Sequence, residues 1–241
     1  KSGFTQSYTY FTWRNTKQEL TEYLKELTQT EVKEYFRPNF WPNTPDILNE
    51  YLQFGGRPAF LIRLILAATL SSNYGIYGPP FERFLNQPAP GKEEYIDSEK
   101  YEIKNWSSQE IRESTLELIT KINLIRKKNP VFHKTNNIRF LHIENNQLLY
   151  FGKFTQKDKD NILIVINLDP HHTQSGWVQV PLVELGLTSD QTFLAQDLLG
   201  GGQYIWQGEY NYVELNRHIL PAHILKIKKQ IKTEHNFDYF S

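Results

Sequence analysis

An α/β region followed by an all-β region is what this sequence predicts, and three observations say so. From Gly3 to Tyr77, short runs rich in Thr, Tyr and Phe alternate with helical patterns in the order strand, helix, strand, helix, strand, the rhythm of parallel βα units. A long irregular stretch and one more helical stripe then lead to Asn129-Pro130, where the texture changes completely. After Pro130, β-rich runs follow at close spacing, separated by turn signals such as Asn145-Asn146, Lys157-Asp158 and Gly200-Gly201-Gly202; that pattern is an antiparallel sandwich.

Each element has its own justification. Gly3 to Phe11 has no helical period and reads as a strand. Thr16 and Glu19 form a capping box, and Leu20, Tyr23, Leu24 and Leu27 follow at i, i+3, i+4 and i+7 on one helical stripe. Tyr35 to Trp41 is the next strand. A helical segment from Pro45 ends at Gly55-Gly56, and a second from about Arg57 to Ser71 is apolar almost all round, so it should be buried. Asn73 to Tyr77 reads as a third strand. The stretch from Pro79 to Asn105 carries the acidic run Gly91 to Glu102, and long ordered loops of this kind are usually functional. Ser107 and Glu110 make another capping box for a helix striped by Ile111, Leu118, Ile122 and Ile125. The β-rich runs are Ile138 to His142, Leu148 to Phe154, Ile162 to Asn167, Trp177 to Pro181, Thr192 to Asp197, Tyr204 to Trp206, Asn211 to Leu215 and Ile224 to Ile227.

Three parallel strands cannot close an eight-stranded barrel, and left alone they expose a sheet edge. They are either a small open α/β domain or the last part of a larger barrel. The chain of 241 residues contains no methionine, including before Lys1, and this favours the second reading. The expected organisation is therefore residues 1–130 as the last βα units of a (β/α)8 barrel with a long loop and a closing helix, 131–229 as a β-sandwich, and 230–241 as a polar tail.

Composition narrows the partners. Lys plus Arg and Asp plus Glu are both 27, so there is no basic field for nucleic acid. The absence of cysteine removes disulfides and cysteine metal sites and fits a reducing compartment. The longest apolar run, Pro58 to Leu70, is short and carries Arg63, so it reads as a core helix rather than a membrane span.

The stretch Phe36 to Leu48 is the chemical focus. Pro42 and Pro45 make it a rigid strand-to-helix turn, and Asp46 lies beyond the strand's end among Trp41, Asn43 and Thr44, where α/β folds collect their chemistry. From the turn alone the plainer reading is favoured, with Thr44 as N-cap, Pro45 as first helical residue and Asp46 as a first-turn acid. Aromatic residues around such a rim point to carbohydrate, whose apolar faces stack on rings. Glycoside chemistry needs two carboxylates flanking the bond, and Asp46 finds no convincing partner at the other visible strand ends. Glu19 belongs to its cap, and Glu82 lies in a loop. Lys100 beside Tyr101 offers a cation and a phenol that could bind a phosphate oxygen, although a loop lysine is usually solvated surface. His171 and His172 lack further metal ligands and read as turn residues. No Gly-rich phosphate loop, HExxH or GxSxG motif occurs.

Five strings together carry a family resemblance: GFTQSYTYFTWR (Gly3 to Arg14), YFRPNFWPNTPDIL (Tyr35 to Leu48), GGRPAFLIRLILAATLS (Gly55 to Ser71), EEYIDSEKYEI (Glu93 to Ile103) and NLDPHHTQ (Asn167 to Gln174). They resemble the α-1,4-glucan:maltose-1-phosphate maltosyltransferases of the α-amylase superfamily, over nearly the whole chain. Many amylases carry Asn-His-Asp where this chain has Thr44-Pro45-Asp46, and loss of that histidine fits the maltosyltransferase branch better than a plain hydrolase. The resemblance implies a transition-state-stabilising role for Asp46 and a maltose 1-phosphate-binding role for Lys100 and Tyr101. It implies a retaining transfer to α-1,4-glucans without metal or organic cofactor, in a bacterial, cytoplasmic enzyme of glycogen-type α-glucan biosynthesis. It further implies a nucleophilic aspartate and an acid/base glutamate before Lys1, and a homodimer formed mainly through regions absent here. Residues 78 to 90 match the family least, and Glu82 is given no role. An amylase-type hydrolase or transglycosidase on unphosphorylated glucans, or a non-catalytic glucan-binding module, are the alternatives.

Overall fold

The structure, a computed structural model, describes residues 3–100, 102–106, 115–155 and 160–229. Its first sheet is parallel. Strand β1 (Ser7–Tyr8) pairs with β2 (Pro38–Phe40), which pairs in turn with β3 (Asn73–Tyr74), in sequence order. All three strands are shorter than expected. The run to Phe11 is cut at Thr9, whose hydroxyl caps a 3-10 turn over Tyr10–Trp13. A short helix α2 (Val32–Tyr35) takes up the start of the second run, and Gly75 ends the third by backing onto the Trp41 ring.

The helices between these strands follow their local signals in one case and not in the other. Helix α1 (Lys17–Gln29) begins at the capping box, with the Thr16 hydroxyl accepting from Glu19 N–H and the Glu19 carboxylate accepting from Thr16 N–H. Leu20, Leu24 and Leu27 form its buried face. Helix α3 (Glu50–Leu70) corrects the expected start at Pro45: its N-cap is Asn49, whose side chain accepts from Leu52 N–H. The Gly55-Gly56 pair does mark a break, because Gly56 leaves helical geometry at φ 57°, ψ −158°, and Pro58 follows where its missing N–H costs least. From Ala59 to Leu70 every residue is buried, Arg63 included. Its guanidinium donates to the carbonyls of Phe11 and Arg14 and to Asn15, and lies over the Phe11 ring, so it ties α3 to the segment after β1. Burial pushes it down to about 10, which leaves it charged at neutral pH.

Helix α4 (Gly78–Glu82) opens the long loop, and α5 (Leu116–Lys128) closes the α/β region, burying Ile122 and Ile125. Arg126 of α5 donates to the carbonyls of Ala68, Ser71 and Ser72, satisfying acceptors at the C-terminal end of α3. The expected Ser107–Glu110 capping box and Ile111 lie outside the described residues, as does the polar tail from Gln230.

All eight expected β-runs are strands: β4 (Ile138–Phe140), β5 (Leu148–Lys153), β6 (Ile162–Asn167), β7 (Gln174–Gln179), β8 (Thr192–Asp197), β9 (Gln203–Gln207), β10 (Tyr210–Leu215) and β11 (Ala222–Lys228). A one-turn helix α6 (Leu182–Leu185), ended by the left-handed Gly186, was not expected. The strands make two antiparallel sheets, one of six in the order β4-β5-β6-β11-β8-β9 and one of two, β10-β7.

Within the six-stranded sheet, β5 and β6 are buried on both faces, which is why they read as largely apolar runs, whereas the edge strand β9 is mostly exposed. Leu149, Phe151, Ile162, Ile164 and Ile166 join the core built by α1, α3 and α5. Leu148, Tyr150, Leu163 and Val165 join a second core with Val178 of β7 and Val213 of β10. The parallel and antiparallel regions therefore share one hydrophobic interior.

Candidate functional site

After β2 the chain turns at once. Thr44 and Ile47 exchange both backbone hydrogen bonds at 3.2 Å, closing a two-residue loop with Pro45 and Asp46 at its tip. This corrects the helix-start reading of Thr44, Pro45 and Asp46. A cap at Thr44 would require its carbonyl to start a helical ladder, whereas that carbonyl accepts from Ile47 N–H.

Two neighbours hold the turn. Leu48 N–H donates to the Glu93 carbonyl at 2.6 Å, and beneath the tip the fully buried Asn43 is satisfied at both ends. Its amide donates to the Tyr77 carbonyl (3.2 Å) and to the Tyr95 hydroxyl (2.9 Å), and its oxygen accepts from Tyr77 N–H (3.0 Å). Burial raises the Tyr95 phenol, keeping it neutral. Asn43 was noted in the sequence only as part of the rim. Its anchoring role depends on residues 34 and 52 positions away, and a lone Asn after a proline was the sole sign of it.

The loop thus tied to the turn carries Lys100. Glu99 N–H donates to the Tyr77 hydroxyl (3.3 Å) and Glu102 N–H to the Ser98 carbonyl (3.1 Å). Asp97 takes a left-handed conformation at φ 47°, a geometry aspartate tolerates better than most residues. The result is a contact across 54 residues of sequence: Lys100 Nζ donates to Asp46 Oδ1 at 2.5 Å. Both side chains stay about half exposed, 44% for Lys100 and 54% for Asp46. An ion pair this open to water is worth only about 0–1 kcal/mol.

Tyr101 lies outside the described residues. Glu82 ends α4, where its backbone carbonyl accepts from Thr115 N–H. His171 and His172 are turn residues, as expected, organised by Asp169, which accepts from both backbone N–H groups and pairs with His172 Nδ1 at 2.8 Å. Burial alone would raise the Asp169 carboxyl, but these bonds and one from Gln174 outweigh it and hold it below its ordinary value. Among the described residues no group of three or more His, Asp or Glu gathers as a metal site, and no helix is long and apolar enough to cross a membrane.

Comparison with known proteins agrees with this architecture. Residues 140–227 match the sequence family described as "GLGE, C-terminal". Over 233 residues, 94% of the chain, the sequence is 53% identical to the α-1,4-glucan:maltose-1-phosphate maltosyltransferase of Chlorobaculum tepidum, of which it covers 35%. It is 48% identical over 230 residues to the protein of the same name from Methylacidiphilum infernorum, of which it covers 34%. Among solved structures, an Anoxybacillus α-amylase superposes on 92% of this chain and 45% of its own, with a TM-score of 0.62 at 15% identity. A maltogenic α-amylase from Thermotoga neapolitana gives 0.60 at 12% identity, over 92% of this chain and 50% of its own. These last two similarities speak to fold alone. The sequence relationship is much closer: along nearly its whole length the chain is similar to proteins named α-1,4-glucan:maltose-1-phosphate maltosyltransferase, and it spans about a third of the length of the relatives it matches.

Proposed function

We propose that this chain is the C-terminal part of a retaining enzyme that moves maltosyl units from α-maltose 1-phosphate to the non-reducing ends of α-1,4-glucans and releases phosphate. The observation that carries the reading is the meeting of Asp46 and Lys100 at one rim. On this reading β1, β2 and β3 are the last strands of a (β/α)8 barrel, and residues 131–229 are the sandwich behind it. Their parallel sequential order supports this, as do the exposed aromatic side chains of Phe4, Tyr8 and Tyr10 beside β1.

The chemistry divides into two displacements. An aspartate from the part of the enzyme this chain does not span attacks the anomeric carbon. The bond to the phosphate oxygen breaks, its electron pair leaves with phosphate, and the acid/base glutamate gives that oxygen its proton. The 4-hydroxyl of a glucan end then attacks the same carbon, gives its proton to the acid/base glutamate, and releases the enzyme aspartate. Asp46 would stand near the anomeric carbon, its negative charge complementing the positive charge that develops there. Lys100, with Tyr101, would hold the donor phosphate, the ammonium exchanging Asp46 for a stronger anionic partner. The chain alone, lacking nucleophile and acid/base, should not turn over, and the site needs no metal or organic cofactor. The homodimer, the cytoplasmic location and the role in glycogen-type synthesis belong to the same proposal.

In the full-length enzyme, Asp46→Ala should lower kcat by about a hundredfold or more while changing donor affinity little, the mark of an interaction made mainly in the transition state. Near-normal turnover would remove Asp46 from the mechanism. Phosphate release from α-maltose 1-phosphate separates this reaction from an amylase-type one on unphosphorylated glucans, the reading that the fold likeness alone would favour.

A further inference from the structure

The first turns of α3 and the turn between β6 and β7 meet across 117 residues of sequence: the Tyr51 hydroxyl donates to the Leu168 carbonyl at 2.7 Å. Gly55 lies against the buried Pro170, so closely that a Cβ there would stand 3.0 Å from the proline ring. The β6–β7 turn is itself firmly built. The fully buried Asn167 donates to the carbonyls of His172 (2.9 Å) and Leu215 (3.3 Å), and its oxygen accepts from Asp169 N–H (2.8 Å). Arg217 donates to the Pro170 carbonyl (3.0 Å). Residues 50–55 of α3, by contrast, join the rest of their helix through the kink at Gly56, so the buried shaft from Ala59 to Leu70 sets their direction less firmly than a straight helix would. They carry Gln53, whose amide donates to the Leu48 carbonyl (2.7 Å) and whose carbonyl accepts from the Asn86 amide (2.9 Å). Leu48 directly follows Ile47, which closes the turn bearing Asp46.

We propose that Tyr51 is a positioning residue for Asp46, with the β6–β7 turn of the sandwich as its anchor. The route is continuous. Asn49, the N-cap, donates to the Thr12 carbonyl and pins one end of the segment, and the Tyr51–Leu168 bond then fixes its direction. Gln53 of the same segment holds Leu48, next to the Thr44–Ile47 bridge whose tip is Asp46. Burial pushes the Tyr51 phenol up, so it stays a neutral donor to Leu168. Placement matters because an electrostatic stabiliser must stand where charge develops, and a shift of about 1 Å can cost up to roughly a hundredfold in rate. The sandwich thereby takes part in the transfer reaction although neither Asp46 nor Lys100 belongs to it. The kinetic consequence rests on the transition-state role proposed above for Asp46.

Tyr51→Phe in the full-length enzyme removes one hydroxyl and keeps the ring. With α-maltose 1-phosphate, kcat should fall about fivefold or more while donor KM stays nearly unchanged. The double variant Tyr51→Phe/Asp46→Ala should be no slower than Asp46→Ala alone, since a residue that acts through Asp46 has nothing left to position. A smaller fall in kcat overturns the proposal, and so does a loss that persists undiminished in the double variant. Hydrogen exchange on the same enzymes reads the turn without turnover: the amides of Ile47 and Leu48, bonded to Thr44 and Glu93, should exchange about tenfold faster in Tyr51→Phe while those of α1 keep their rates. Unchanged exchange at Ile47 and Leu48, or a rise shared equally by α1, overturns the proposal. Normal turnover in Asp46→Ala would instead remove the role of Asp46 in the chemistry, and the exchange rates alone would then decide whether Tyr51 holds the turn.

Discussion

Two lysines show how differently the two halves of this molecule use charge. Lys153, on β5, is completely buried and donates to the Lys134 carbonyl (2.6 Å) and Asn137 Oδ1 (3.0 Å), both neutral groups. Burial, with Arg126 nearby, pushes it down to about 7, so the fold holds an ammonium that is close to giving up its proton. Lys100 is half exposed and meets a carboxylate from a distant turn. The first lysine is bound into the architecture and can be removed only at the expense of packing. The second keeps its charged tip half in water. Around Lys153 both faces of the sheet are apolar; around Asp46 and Lys100 the backbone is fixed by prolines and by Asn43 while the charged tips remain in water.

If that contrast is real, substitutions should sort by region. The largest loss is expected in the doubly covered strands β5 and β6. Phe151→Ala removes a fully buried ring between β5 and α3 and should cost about 3–5 kcal/mol in urea or thermal unfolding. Next comes Lys153. Its folded value lies below the ordinary 10.5, so between about pH 7 and 10.5 the unfolded chain binds more protons than the folded one. Stability carried by this group therefore rises with pH across that window, by on the order of a few kcal/mol, and is absent below it. Lys153→Met should flatten the rise relative to the unaltered chain, and an identical pH profile would refute the buried-ammonium description. Gly56→Ala should cost about 1–3 kcal/mol, because φ 57°, ψ −158° is a region that only glycine enters without strain. The smallest effect belongs to the rim. Asp46→Ala in the 241-residue chain should change stability by about 1 kcal/mol or less, so that any loss of turnover in the longer enzyme is a loss of chemistry rather than of fold. A large destabilisation there would erase the distinction between the regions.

The same contrast explains what the sequence disclosed. The limits of β6 (Ile162–Asn167) and β8 (Thr192–Asp197) were readable to the residue, because an apolar or alternating run between turn signals carries its own boundaries. The start of α3 was not. Thr44-Pro45-Asp46 is a good helix opening by local rules, and it was overridden by the bridge between Thr44 and Ile47 and by a bond from Leu48 to Glu93, 45 residues on. Glycine at position 56 was visible as punctuation but not as a kink within a continuous helix. Asp46 and Lys100 were each visible as candidates, and the resemblance named them together. Their contact depends on Asn43, Tyr77 and Tyr95 folding the loop back over the turn, and no periodicity or spacing encodes such a long-range arrangement.

The proposal that the Asp46–Lys100 rim takes the donor's phosphate is tested most directly by Lys100→Ala in the full-length enzyme, assayed with α-maltose 1-phosphate and with an unphosphorylated activated donor such as maltosyl fluoride. The account predicts that kcat/KM falls at least tenfold further for the phosphorylated donor than for the fluoride. Equal losses for the two donors would contradict a phosphate role for Lys100 and leave the ion pair with Asp46 as a purely structural contact.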